Sequence, residues 1–311
     1  MNTRALREFI RLGRFHFLLS GFIPFTAGAL LAFLLGARFT PAQFLLGYAA
    51  MAAAHLSVHY SNDYFDADAD RFVETTAISG GSGVLSRHPD LKPAALFAAV
   101  GLMLLSILIG YAFVVIYGYP TIFLAFGIAG NLLGWFYTAP PIAFAYHNLG
   151  EVANMITFGL LMPGAGYFVA MGRLDPAFFA FAVPLCLYGL VFITSVEIPD
   201  MEGDILGGKR TLIVRRGRLF GFALIALAAS LATAVLAVFA FAGVFAPVNF
   251  WPVALISCIP LAFALRGFLR RTAERAGALR HATANIQGYF LFQGLVALYL
   301  LAAAAGSLLG P

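Results

Sequence analysis

Apolar stretches of about 20 residues recur along the chain, separated by polar or Gly/Pro-rich breaks. A helix of about that length crosses the roughly 30 Å hydrocarbon core of a bilayer. The pattern predicts nine membrane helices, over 15–36, 41–60, 93–117, 120–139, 149–171, 176–196, 218–243, 250–269 and 286–308. The breaks form two alternating series. The N-terminus and the segments 61–92, 140–148, 197–217 and 270–285 make one, and the short links GARFT, YGYP, GRLD and APVN make the other.

Composition supports this reading. The chain is 61% hydrophobic and 11% charged, with a mean hydropathy of +0.90, whereas a soluble domain carries about 25% charged residues. The fold class expected is all-α, as one polytopic integral-membrane domain over residues 1–311. The first 14 residues, MNTRALREFIRLGR, carry four arginines, but no small-residue cleavage site follows the first apolar run, which is expected to stay as an anchor. Cys186 and Cys258 lie inside apolar segments, which argues against a disulfide framework.

The net charge of +5 has a topological explanation. All but Arg38 and Arg173 of the 19 Lys and Arg residues fall in the first series of segments or at the helix ends beside them. Cytoplasmic loops hold the Lys/Arg excess, so the N-terminus and these loops are expected in the cytoplasm. With nine helices the C-terminus lies outside. In a bacterium this is an inner-membrane protein. Neither a nucleic acid nor an obligate protein partner is indicated.

Against this oily background, two acidic clusters stand out. In HYSNDYFDADAD, Asp63, Asp66 and Asp70 sit at i, i+3 and i+7, and Asn62 borders the same face, while Asp68 points elsewhere. On a helix this spacing stacks carboxylates about 5–6 Å apart. In SVEIPDMEGD, Glu197, Asp200 and Asp204 repeat the spacing at a constant offset of 134 residues, with Glu202 off the face. The first cluster ends the second predicted helix and the second ends the sixth. Pro199 is expected to kink or open the latter.

Two acidic rows facing each other would make a divalent-cation site. Oxygen ligands without a His/Cys set favour Mg²⁺, with Mn²⁺ and Ca²⁺ as alternatives. Mg²⁺ typically binds through a few carboxylates plus substrate phosphates. Lys209, Arg210 and Arg71, beside the clusters, then suit a diphosphate. The loop SGGSGV, 79–84, is open to two readings, an anion cradle of backbone N–H groups or plain turn chemistry.

NDYFDADAD and DMEGD, in this order and context, resemble the N-D-x-x-D-x-x-x-D and D-x-x-x-D motifs of the UbiA superfamily of intramembrane prenyltransferases. SGGSGVL, YTAPPIAFAYHNLGE and the E-I-P-D form of the second motif are most similar to the branch that prenylates 1,4-dihydroxy-2-naphthoate in menaquinone synthesis. The sequence departs from that branch at His147, where a basic residue is common.

The resemblance implies a ring of helices around a central cavity, roofed by the two motif loops. It implies Mg²⁺, as two ions bridging the diphosphate of an allylic polyprenyl donor, held by Asn62, Asp66 and Asp70 on one side and Asp200 and Asp204 on the other. Asp63 and Glu197 would support these ligands or deprotonate the acceptor. Lys209, Arg210 and Arg71 would steady the leaving diphosphate. Tyr137 is the aromatic expected to face the carbocation, with an interfacial anchor as the alternative. The 32 Phe and 12 Tyr residues supply further aromatic faces.

His147 and Asn148, with Glu151, are candidates to hold an aromatic acceptor, the alternative being capping of the fifth helix by Asn148 and Glu151. Arg14 is expected to snorkel, the alternative being that it reaches the headgroup or acceptor region. Other acceptors, among them 4-hydroxybenzoate, remain open at this level. The rivals from other classes are an ion-coupled transporter and a lipid-binding scaffold without activity. The cytoplasmic-end position of the acidic clusters disfavours the first, and their intact ligand positions disfavour the second.

Overall fold

Prolines open the helices and left-handed glycines close them. Pro41, Pro93 and Pro176 occupy first turns, where a missing N–H costs nothing, and Gly118, Gly172 and Gly243 follow last turns at positive φ. Residues 3–72 and 81–309 are described by the computed structural model, and among them there is no β-strand. The helices are α1 (Thr3–Leu12), α2 (Leu18–Leu34), α3 (Pro41–Asp66), α4 (Val84–Arg87), α5 (Lys92–Tyr117), α6 (Thr121–Trp135) and α7 (Gly150–Ile156). They continue with α8 (Met162–Met171), α9 (Pro176–Leu206), α10 (Leu212–Arg216), α11 (Arg218–Ala242), α12 (Trp251–Ile256), α13 (Cys258–Leu269) and α14 (Arg275–Leu309).

Each of the nine predicted spans holds helix, but among the described residues seven helical stretches are both long and apolar enough to cross a membrane. Thr121–Trp135 is shorter, at 15 residues. Pro41–Asp66 is long enough, but His55, His59, Asn62, Asp63 and Asp66 dilute its apolar character. Those polar side chains are the ones that build the site.

The helices pack into a closed ring. α3 lies against α5, α6 and α8; α9 against α11 and α14; α11 against α13; and α14 returns to α2. Without a hydrophobic force between helices in lipid, close backbone approach decides such contacts. The α2–α8 contact shows this: a Cβ on Gly28 would lie 1.9 Å from the Pro163 carbonyl oxygen, and one on Gly166 would lie 1.8 Å from that of Phe25.

The ring is filled unevenly. α9, α11, α13 and α14 share one core around Tyr188, Phe222, Tyr289 and Phe292. On the other side α2, α3, α5, α6, α7–α8 and α9 surround a cavity of about 340 Å³, walled mainly by apolar groups such as Phe17, Met51, Phe126, Phe158 and Phe192. Between α7 and α8 one π-helical turn, Thr157–Leu161, bulges into this wall, as such turns often do at functional sites.

Candidate active site

The two acidic motifs meet at one end of the bundle, where the segments after α3, α6, α9 and α13 gather. Lys209 joins them. Its Nζ lies 2.8 Å from Asp66 Oδ2, 4.0 Å from Asp70 Oδ1 and 3.9 Å from Asp204 Oδ1. Turn residue Gly208, at φ +78, and the Lys209 N–H donated to the Asp204 carbonyl (2.9 Å) fold the lysine back over the end of α9. Burial works against its charge, but Asp66, Asp204 and Asp70 outweigh it and raise its pKa well above the lysine value.

The first motif departs from the expected single helical face. α3 stops at Asp66, and Asp70 stands on a separate 3₁₀ turn, Ala69–Phe72. Asp70 nonetheless reaches Lys209, because the chain folds back over the helix end. A Cβ on Gly81, at φ +60, would fall 2.1 Å from Asp70 Oδ2, so glycine is required against this carboxylate. Burial pushes the Asp70 carboxyl up to about 7, and Lys209 moderates the shift.

Asp63 and Asp66, though one turn apart, have different partners. Asp63 accepts from Arg14 Nη2 at 2.8 Å and from the Ser82 N–H at 3.3 Å, and it is also bonded by the Ser82 hydroxyl. Arg14 therefore does not snorkel. It adopts a left-handed conformation (φ 41, ψ 48) at the start of a 3₁₀ turn and turns inward to the cavity, a conformation uncommon for a residue with a Cβ. The described part of the SGGSGV loop, from Gly81, binds the Asp63 carboxylate through Ser82 and packs Gly81 against that of Asp70; Ser79 and Gly80 lie outside the described residues. Asp66 accepts from Tyr146 Oη at 2.8 Å, and Asn62 Oδ1 accepts from Thr138 Oγ1 at 3.0 Å.

The second motif stays inside one helix. α9 runs through Pro199 to Leu206, so Glu197, Asp200 and Asp204 keep their common face. Around the proline, side chains brace the backbone: Arg218 Nε donates to the Ile198 carbonyl at 2.8 Å, and Arg275 Nε donates to that of Pro199 at 3.1 Å. Arg218 also grips Glu202 with both terminal nitrogens. Glu197 is buried beside Glu151, whose carboxylate accepts the Leu212 N–H and ties α7 to α10.

The remaining predicted residues separate into two groups. Tyr137 and Asn62 line the cavity mouth with Arg14, so Tyr137 faces inward. Arg71, in contrast, is exposed and pairs with Asp68 at 3.2 Å, and Arg210 is exposed, its N–H donating to the Ala145 carbonyl at 3.2 Å. His147 is also exposed, its Nδ1 3.1 Å from the Ala143 carbonyl oxygen, and does not line the cavity. Asn148, left-handed at φ 61, does not cap α7, whose N-cap is Leu149. Sequence reasoning missed Tyr146 and Thr138, because a tyrosine and a threonine in a turn carry no signal of the carboxylate and amide they bind.

The donor set, carboxylates and one amide oxygen, fits a hard divalent cation. Among the described residues, no three acidic or imidazole groups converge tightly enough to hold an ion alone. An acidic mouth with a half-buried lysine, above an apolar cavity, is an arrangement suited to a molecule with a charged head and an apolar tail.

Comparison with known proteins agrees. The model of the UbiA prenyltransferase family matches residues 22–287. The 1,4-dihydroxy-2-naphthoate octaprenyltransferase of Bacillus subtilis (strain 168) is 28% identical over 227 residues, 72% of this chain and 70% of that protein. The UbiA prenyltransferase domain-containing protein 1 of Mus musculus is 35% identical over 95 residues, which cover 30% of this chain and 28% of its own. The fold matches a UbiA homolog from Archaeoglobus fulgidus solved with GPP and Mg²⁺, with TM-score 0.63 and 16% identity over 93% of this chain and 99% of that one. It also matches the apo UbiA homolog from Aeropyrum pernix K1, with TM-score 0.63 and 17% identity over 89% and 97%. The family match, the helical ring and the paired acidic motifs coincide: this chain belongs to the UbiA prenyltransferase family and is a membrane-bound prenyltransferase.

Proposed function

We propose that the protein transfers the prenyl group of an allylic polyprenyl diphosphate to 1,4-dihydroxy-2-naphthoate, in a reaction that depends on Mg²⁺. The observation that carries this reading is Lys209, held between carboxylates of both motifs at the mouth of an apolar cavity. The naphthoate is favoured over other aromatic acceptors by the likeness to the Bacillus subtilis enzyme.

Asn62, Asp66 and Asp70 on one side, with Asp200 and Asp204 on the other, would hold Mg²⁺, which when bound neutralises the diphosphate and assists its departure. Lys209 then pairs with the diphosphate instead of the carboxylates. The allylic C–O bond breaks, the electron pair leaves with the diphosphate, the acceptor ring carbon captures the cation as the new C–C bond forms, and that carbon releases its proton, or its carboxylate as CO₂, to restore the aromatic ring. The apolar wall excludes the water that would trap the cation, and Tyr137 offers it an aromatic face. Glu197, buried beside Glu151, is the candidate proton acceptor, because Asp63 is committed to Arg14 and Ser82. Exposure of Arg71, Arg210 and His147 leaves Lys209 as the principal diphosphate cation.

The chain is read as a single domain, with the acidic mouth, N-terminus and charged loops in the cytoplasm and the C-terminus outside. Its setting is the inner membrane if the source is bacterial. Purified protein in lipid, given labelled geranylgeranyl diphosphate with dihydroxynaphthoate or with 4-hydroxybenzoate, tests the reaction. Product from the naphthoate that disappears on chelation is expected. Product from 4-hydroxybenzoate alone, or product without metal, would overturn the assignment.

A further inference from the structure

α3 carries a second set of polar side chains below the acidic mouth. His55 and His59, one turn apart, line the cavity with their rings stacked at a centroid distance of 4.8 Å and an angle of 30°. The next turn brings Asn62 and Asp63, and the Phe17 ring lies 5.8 Å from that of His59. Both imidazoles are half-buried; His55 Nδ1 packs against Gly21 of α2, and neither it nor His59 Nε2 has a hydrogen-bond partner among the described residues.

Other polar groups in this region are treated differently. Ser57 and Ser61, on the same helix, donate to the backbone carbonyls of Ala99 and Val58 at 2.7 and 3.2 Å. The Asn131 amide nitrogen reaches Ser106 Oγ and the Gly127 carbonyl, but its Oδ1 is unpartnered, as is that of cavity-lining Asn154. His55, His59, Asn131 and Asn154 thus place polar side chains on an otherwise apolar cavity wall. A prenyl tail has no polar atom to offer them. A hydroxylated aromatic ring has both a flat face and hydroxyl groups that donate and accept, and an imidazole offers one nitrogen of each kind.

We infer that His55 and His59 form a subsite for the hydroxyl groups of the aromatic acceptor, inside the membrane part of the cavity. This deepens the proposed function and rests on it for the identity of the ring. The pair selects acceptors by hydrogen bonding, while the acidic mouth handles the donor. The two tasks are separated along α3.

The test uses the full chain in lipid nanodiscs, comparing wild type with His55→Leu, His59→Leu, the double variant and His59→Gln. Binding of labelled dihydroxynaphthoate and 4-hydroxybenzoate is measured beside Mg²⁺-dependent binding of geranylgeranyl diphosphate. Each leucine variant is expected to weaken acceptor binding by about three- to tenfold, the order of one lost hydrogen bond, and to leave donor binding unchanged. His59→Gln should recover part of the loss, and a ring with its hydroxyls methylated should bind wild type and double variant alike. Unchanged acceptor affinity in the double variant, an equal loss of donor affinity, or a wild type that binds neither ring would overturn the subsite. Wild-type protein that binds 4-hydroxybenzoate in a histidine-dependent way, without turning over the naphthoate, would uphold it while removing the naphthoate assignment.

Discussion

The two acidic motifs share a spacing but not a construction. The second keeps its three carboxylates on one continuous helix, and its rigidity comes from outside, through Arg218 and Arg275 on backbone carbonyls beside Pro199. The first is broken after Asp66 and is held by side-chain partners: Arg14 and Ser82 on Asp63, Tyr146 on Asp66, Thr138 on Asn62. A repeat in sequence thus specifies where charge must converge, and each half reaches that point by its own supports. The second behaves as a fixed wall. The first is assembled from four separate segments.

If both motifs act as one site, removing a carboxylate from either should be equally damaging. Asp66→Ala and Asp200→Ala are each expected to cost on the order of 10²–10³-fold or more in turnover without loss of the folded protein in detergent. A surviving rate in one of them would assign the metal to the other motif alone. Lys209→Gln comes next, with donor KM raised about tenfold or more, since a charge-assisted contact to phosphate contributes roughly 1.5–3 kcal/mol. Steady-state kinetics with varied donor and saturating acceptor separates this from an acceptor effect.

The supports themselves can be compared. Arg218→Met removes a buried guanidinium that grips Glu202 and the Ile198 carbonyl. It should lower stability by about 2–3 kcal/mol, read by thermal unfolding, and weaken apparent Mg²⁺ affinity. Gly166→Ala, aimed at the α2–α8 contact far from either motif, should cost about 1–3 kcal/mol and leave Mg²⁺ affinity unaltered in the surviving fold. The smallest effect is expected from Arg71→Ala, which breaks an exposed pair with Asp68 contributing about 0–1 kcal/mol. A large loss of donor binding there would restore Arg71 to the diphosphate site.

What was legible in the sequence was periodic or repeated. Each predicted apolar run holds helix, and the 134-residue offset located the two acidic motifs that meet in the candidate site. Lys209 followed from its place beside the second motif. Less legible was whatever depends on packing between distant segments. Nothing local places Tyr146 on Asp66, 80 residues away, or Arg14 on Asp63, 49 residues away. The end of α3 at Asp66 was hidden because i, i+3, i+7 spacing persists whether or not the helix does. Among the described residues seven candidate spans stand where nine were expected, for two reasons: α6 is only 15 residues long, and the polar residues that serve the cavity lower the apolarity by which α3 would be recognised.

The central claim is that the two motifs form one Mg²⁺-dependent site for the donor diphosphate. Calorimetric binding of geranylgeranyl diphosphate to the protein in nanodiscs, with and without Mg²⁺, tests it in wild type, Asp66→Asn, Asp200→Asn and the double variant. The account predicts tight binding in wild type only with Mg²⁺, loss in either single variant, and little further loss in the double. Binding that ignores the metal, or losses that simply add, would contradict it.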